Sequence, residues 1–116
     1  MKYLLSVIIV LVSLQLSAQS ATCKDHHDGD FEVVVDGEVI ATIARSGGEQ
    51  IEYSVVDNTI IIYSVVWVND CTQELRLKEA VQAREDQVYI SKEDVVTVKM
   101  DDVSADAYKV HITMKG

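Results

Sequence analysis

The sequence predicts an all-β protein: an antiparallel up-and-down meander of seven to eight strands forming a small barrel or half-barrel, with a β-sandwich as the alternative. Two observations carry this. From Thr59 to Leu77, a run rich in Ile, Val, Tyr and Trp, a polar break at Asn69-Asp70 and the alternating CTQELRL have the pattern of a long β-hairpin. Shorter segments of the same kind precede it, separated by Asp36-Gly37, Ser46-Gly47-Gly48 and Asp57-Asn58, and the chain contains no proline.

With Asn69 and Asp70 as the turn, Val68 faces Cys71, Val66 faces Gln73, Ser64 faces Leu75 and Ile62 faces Leu77. This set is expected on the inner side of the sheet. Trp67, Val65, Tyr63 and Ile61 then fall on the opposite side, against Thr72, Glu74, Arg76 and Lys78.

The chain opens with Met1-Lys2 and the apolar run YLLSVIIVLVSL, the layout of a secretory signal peptide and too short for a membrane span, which needs roughly 20 apolar residues. Ala18 and Ser20 suit cleavage after Ser20, with Gln19 as a second position. The expected division is a signal peptide over 1–20 and a single β-domain over 21–116, destined for periplasm, outer surface or medium. Residues Ser20-Ala21-Thr22 before Cys23 do not suit a lipid anchor.

Removing Lys2 with the leader leaves nine basic against nineteen acidic residues, a net charge near −10. Such a surface repels phosphate backbones and anionic lipid, so neither nucleic acid nor a polybasic membrane patch is expected. Its plain use is solubility. Two cysteines remain, Cys23 and Cys71, an even count in a chain sent to an oxidising compartment. Cys71 shares the inner phase with Leu75, and Cys23 has the parity of Phe31, Val33 and Val35. A disulfide is therefore expected.

Gly29 to Val35 begins the meander and Val39 to Arg45 follows. A three-residue turn with Gly37 left-handed places Phe31, Val33, Val39, Ala41 and Ile43 on one face. Glu49 to Val56 forms the next strand, with Ile51, Tyr53 and Val55 expected inside and Tyr53 opposite Ile62. Beyond Leu77, KEAVQAREDQ reads as a loop with at most one helical turn. Val88 to Ser91 and Val95 to Met100 read as short strands, and Tyr108, Val110, Ile112 and Met114 alternate through a last half-exposed one.

The segment Asp25-His26-His27-Asp28-Gly29-Asp30 concentrates metal-ligand side chains. Its spacing does not fit a calcium loop, and His111 is too distant in the chain and too exposed in phase to complete a zinc set, so no metal or cofactor is expected. No Ser-His-Asp elbow, Cys with a nearby His, phosphate loop or zinc motif is present, and the reading is that the protein is not an enzyme. Arg45 and Glu52, flanking a turn, read as a surface ion pair.

Gly29-x-Phe31, Arg45, Gln50-x-Glu52, Trp67-x-x-x-Cys71 and Leu75, with Cys23, resemble a family of short exported flavobacterial-type proteins of unknown function. Members are often labelled as DNA topoisomerase IV subunits. That label does not suit an acidic, exported chain without an ATP-binding loop or catalytic tyrosine motif. Gly-x-Phe opening a meander is also similar to the Gly-x-Trp start of lipocalin-like barrels, which implies a small lipocalin-like barrel, here with Phe for Trp and a shorter chain. An immunoglobulin sandwich fits less well, because Trp67 lies four residues before the second cysteine instead of following the first.

Two functions follow from this outline. The first is a non-catalytic structural or protein-interaction role in the cell envelope, with a core filled by its own side chains. The alternative is a barrel that binds a small apolar molecule, with Ser64 and Gln73 as inward polar handles and Trp67 and Tyr63 as an exposed aromatic pair for a partner. The plainer reading of Ser64 and Gln73 is a satisfied core hydrogen bond or a rim position, and of the aromatic pair, packing beneath the 78–87 loop. A continuous cavity lined by Ser64 and Gln73 is the feature that ranks the ligand reading first.

Overall fold

Eight strands follow one another around a closed antiparallel barrel in a computed structural model, which describes residues 7–13, 22–83 and 90–115. They are β1 (Val7–Ser13), β2 (Gly29–Val35), β3 (Glu38–Ser46), β4 (Glu49–Ser54), β5 (Ile60–Asn69), β6 (Thr72–Gln82), β7 (Val95–Asp101) and β8 (Ala107–Lys115). A 3₁₀ turn, Cys23–His26, leads into β2. Each strand pairs with its neighbours in sequence, and β1 closes the ring by pairing with both β2 and β8.

That closure differs from the expected strand set. The apolar run read as a signal peptide supplies β1, with Leu11 opposite Val33 on one side and Tyr108 on the other. Ile90 and Ser91, placed in a strand by the sequence pattern, lie outside any strand, while Val88 falls outside the described residues, as does the expected cleavage site at 18–20. The segment after Leu77 is not a loop from its start: β6 continues to Gln82.

The first hairpin reaches the expected inner face by another route. Asp36 and Gly37, both at positive φ, form a two-residue turn that pairs Val35 with Glu38, as a left-handed pair of central residues allows. An irregularity between Val33 and Val34 then restores the phase, so Phe31, Val33, Ala41 and Ile43 are buried together. Val39 is the exception, opposite Val34 and exposed.

The fourth and fifth strands, β4 and β5, are turned over relative to the sequence reading. In β4 the inward residues are Gln50 and Glu52, and Ile51, Tyr53 and the following Val55 are exposed. Tyr53 pairs with Ile60 and Ile51 with Ile62, which gathers apolar residues on the outer surface instead. In β5 the turn is Asp70-Cys71 and Val68 is skipped in the register, so Trp67 pairs with Gln73 and Val65 with Leu75. One residue of slip exchanges the two faces of a strand. Hence Ile61, Tyr63 and Val65 point inward, while Val66 and Val68 are exposed. In β6 the expected phase holds, with Gln73 and Leu75 buried.

Candidate functional site

The strand order brings the start of β2, the end of β3 and the starts of β4, β6 and β8 to one end of the barrel, beneath the 3₁₀ turn. Arg45 fills this end and is 2 % exposed, so the surface ion pair with Glu52 does not form. Its Nε donates to the carbonyl of His27 at 2.8 Å, and Nη2 donates to the carbonyl of His26 at 2.6 Å and to the Tyr108 hydroxyl at 2.8 Å. Nη1 donates to Oε1 of Gln50 at 2.9 Å. Four directed bonds to neutral acceptors replace the water that a buried guanidinium gives up.

Aromatic rings enclose the same cation. The guanidinium carbon lies 4.8 Å from the Phe31 ring centroid and 5.4 Å from that of Trp67. Phe31 meets Tyr108 edge-on at 5.6 Å, and His27 stacks on Trp67 at 3.6 Å. Gly29 admits this packing, because a Cβ there would lie 3.2 Å from the Phe31 ring and its φ of +140° suits glycine. Rings of His26 and His27 each place Nε2 2.7 Å from a carbonyl, of Ser104 and Asp70 respectively, and so donate a proton to it. The disulfide Cys23–Cys71 ties the 3₁₀ turn to the β5–β6 turn over the same end.

Above this plug the barrel is hollow. The cavity measures about 360 Å³ and is walled largely by apolar side chains, including Leu11, Ile43, Ile61, Leu75, Val98 and Val110. Polar groups enter it at named heights. Arg45, Gln50 and Gln73 belong to the plugged end, Glu52 and Tyr63 to the wall, and Ser54, Asp57 and Thr59 to the opposite rim. Burial pushes the Glu52 carboxyl up from its ordinary range, and burial followed by the Glu52 charge pushes Tyr63 up too.

Of the predicted handles, Gln73 reaches the cavity, while Ser64 does not line it and pairs with Glu49 and Arg76 in the neighbouring strands. Tyr63 and Trp67 are not an exposed pair: Tyr63 is buried in the cavity wall, and Trp67 is half-buried against His27. The positions that carry the family resemblance divide by height. Gly29, Phe31, Arg45, Gln50 and Trp67 build the plug with Cys23 and Cys71 across it, and Glu52 and Leu75 line the cavity.

Tyr108, His26 and His27 complete the plug without having been picked out for it. Tyr108 is marked in sequence only as the first apolar position of the last strand. The two histidines act through their carbonyls and rings, which ligand spacing does not reveal. Among the described residues, no three His, Cys, Asp or Glu side chains converge as a metal site.

Fold and site together define a small antiparallel β-barrel, plugged at one end and hollow above. No protein-family model, curated protein or solved structure matches the chain.

Proposed function

We propose that the protein is a non-catalytic binding barrel that holds a small, mainly apolar molecule in its interior. The single observation that supports this is the cavity, which Gln73 lines and Ser64 does not. At about 360 Å³ it lies at the low end of the roughly 300–1,000 Å³ spanned by small-molecule sites. At ~30 Å³ for each water-sized unit, it takes an occupant of about a dozen non-hydrogen atoms. Apolar walls with a few convergent polar groups are the usual make-up of such sites.

Among the described residues, Leu11 brings β1 to the cavity wall, and the rest of the lining lies on β2–β8 and the loops between them. The disulfide accords with an oxidising destination. The Gly29-x-Phe31 and Arg45 packing is the part of the resemblance to lipocalin-like barrels that bears on the proposal.

A protein-interaction role draws support from a different observation. Ile51, Tyr53 and Val66 are exposed on the outer side of β4 and β5, beside the half-buried Ile60 and Ile62.

Native mass spectrometry of the protein purified from an exporting host tests the ligand reading. The expected result is an added small-molecule mass that denaturation removes. A bare chain that also takes up nothing from a lipid extract overturns it and moves the weight to the interaction role.

A further inference from the structure

We infer that the molecule held in the cavity carries a neutral hydrogen-bond donor, a hydroxyl group, at its inner end and docks it on Oε1 of Gln73. The inference rests on the ligand-binding reading and gives it a chemical class: a short aliphatic alcohol, or a compact apolar body bearing a hydroxyl.

Gln73 is 3 % exposed and lines the cavity. Among the described residues, its Oε1 is the one buried side-chain nitrogen or oxygen with no hydrogen-bond partner. Folded proteins leave few such atoms, and an amide carbonyl in an apolar wall is costly unless something donates to it. The strand neighbours directly opposite Gln73 are Trp67 on β5 and Val98 on β7. Gln50 provides the contrast. It carries the same amide and also lies toward the plugged end, but its Oε1 is filled by Arg45 Nη1.

The other head groups fit less well. A carboxylate has no proton for Oε1 and would share the cavity with the Glu52 carboxyl. An ammonium group would share the plugged end with the Arg45 guanidinium, whose four bonds all go to uncharged acceptors. A hydroxyl gives Oε1 its proton and brings no net charge into the barrel.

Calorimetric titration of the full chain with 1-decanol, its methyl ether, decanoate and decylamine tests the assignment. The alcohol is expected to bind about tenfold more tightly than the ether, which keeps the oxygen but lacks the proton. Decanoate and decylamine are expected to bind more weakly than the alcohol. Gln73→Met should bring alcohol and ether to equal affinity, and the wild-type ratio stands by itself if that variant does not fold. Equal binding of alcohol and ether to the wild type overturns the hydroxyl assignment and leaves the ligand reading intact. Tighter binding of the amine or the carboxylate does the same. Failure of all four to bind removes both.

Discussion

Nη2 of Arg45, on β3, donates a 2.8 Å hydrogen bond to the hydroxyl of Tyr108, on β8, and joins two strands that are not neighbours in the barrel. The plugged end is thus held by a cation whose bonds cross the barrel. Replacing Arg45 by Ala strands the acceptors of His26, His27 and Gln50 and empties the space beside Phe31. A loss of about 3–5 kcal/mol is expected, the scale for breaking a buried charged network. Arg45→Lys keeps the charge but cannot form the forked contacts, and should lose about 1–3 kcal/mol. Urea unfolding of the three proteins checks the order; equal stability of the Lys variant and wild type would remove the role given to the fork.

The disulfide is expected to act mainly on the unfolded chain. Cys23 and Cys71 are 48 residues apart in sequence, and closing a loop of that size corresponds to about 4 kcal/mol in the chain-entropy description. The double variant Cys23→Ser, Cys71→Ser should lose stability of that order. The intact protein under denaturing, non-reducing conditions should weigh two mass units less than the reduced chain. Unchanged urea midpoints with and without reductant would show that packing alone holds the 3₁₀ turn.

The fold class was legible because it depends on strand existence, and alternation and turn residues report that well. Facing was less legible, because it depends on single-residue offsets. The inner face of β2 and β3 was reached although the turn differed, since the two-residue turn and the register shift after Val33 compensate each other. In β5 the skipped Val68 has no such signature, and Val, Ile and Tyr suit either face of a sheet. In β4 the polar residues Gln50 and Glu52 are inside while Ile51 and Tyr53 are outside, against the usual hydrophobic pattern. The inversion is where the candidate site lies: Gln50 completes the plug, and Glu52 lines the hollow. Polar residues in the core phase mark a function more often than an error of folding.

Glu52 should make the protein less stable as pH rises. Burial raises its folded-state pKa above the unfolded value, so the folded protein favours the protonated carboxyl. That preference contributes fully below the unfolded pKa, about 4.3, and is lost as pH climbs through the folded value. Glu52→Gln removes the ionisation and should raise the urea midpoint at neutral pH, with the gain fading toward pH 4. Asp101 runs the other way. The Asp102 backbone N–H, followed by the His111 side chain, lowers its pKa, so its contribution is lost as pH falls through its folded value. A pH series on wild type and Glu52→Gln separates the two; a constant difference between them across pH would refute the Glu52 assignment.

The last prediction concerns the seat of β1. In the full chain β1 fills the interval between β2 and β8, giving the barrel its closure and placing Leu11, 4 % exposed, in the cavity wall. The same residues have the make-up of an export signal, and a chain that begins at Ala21 has no strand for that interval. The edges at Phe31–Val34 and Ala107–Ile112 then lose one ladder each, and the hollow opens sideways between them. Unpaired edges of this kind either accept another strand or close together. Hydrogen exchange on the two forms distinguishes these outcomes. If the interval stays open, the amides of those two segments should exchange roughly tenfold faster or more in the shorter chain, while β5 and β6 keep their protection. Equal protection in both forms would show that β2 and β8 meet directly, narrowing the cavity and weakening its affinity for any occupant that uses the full volume.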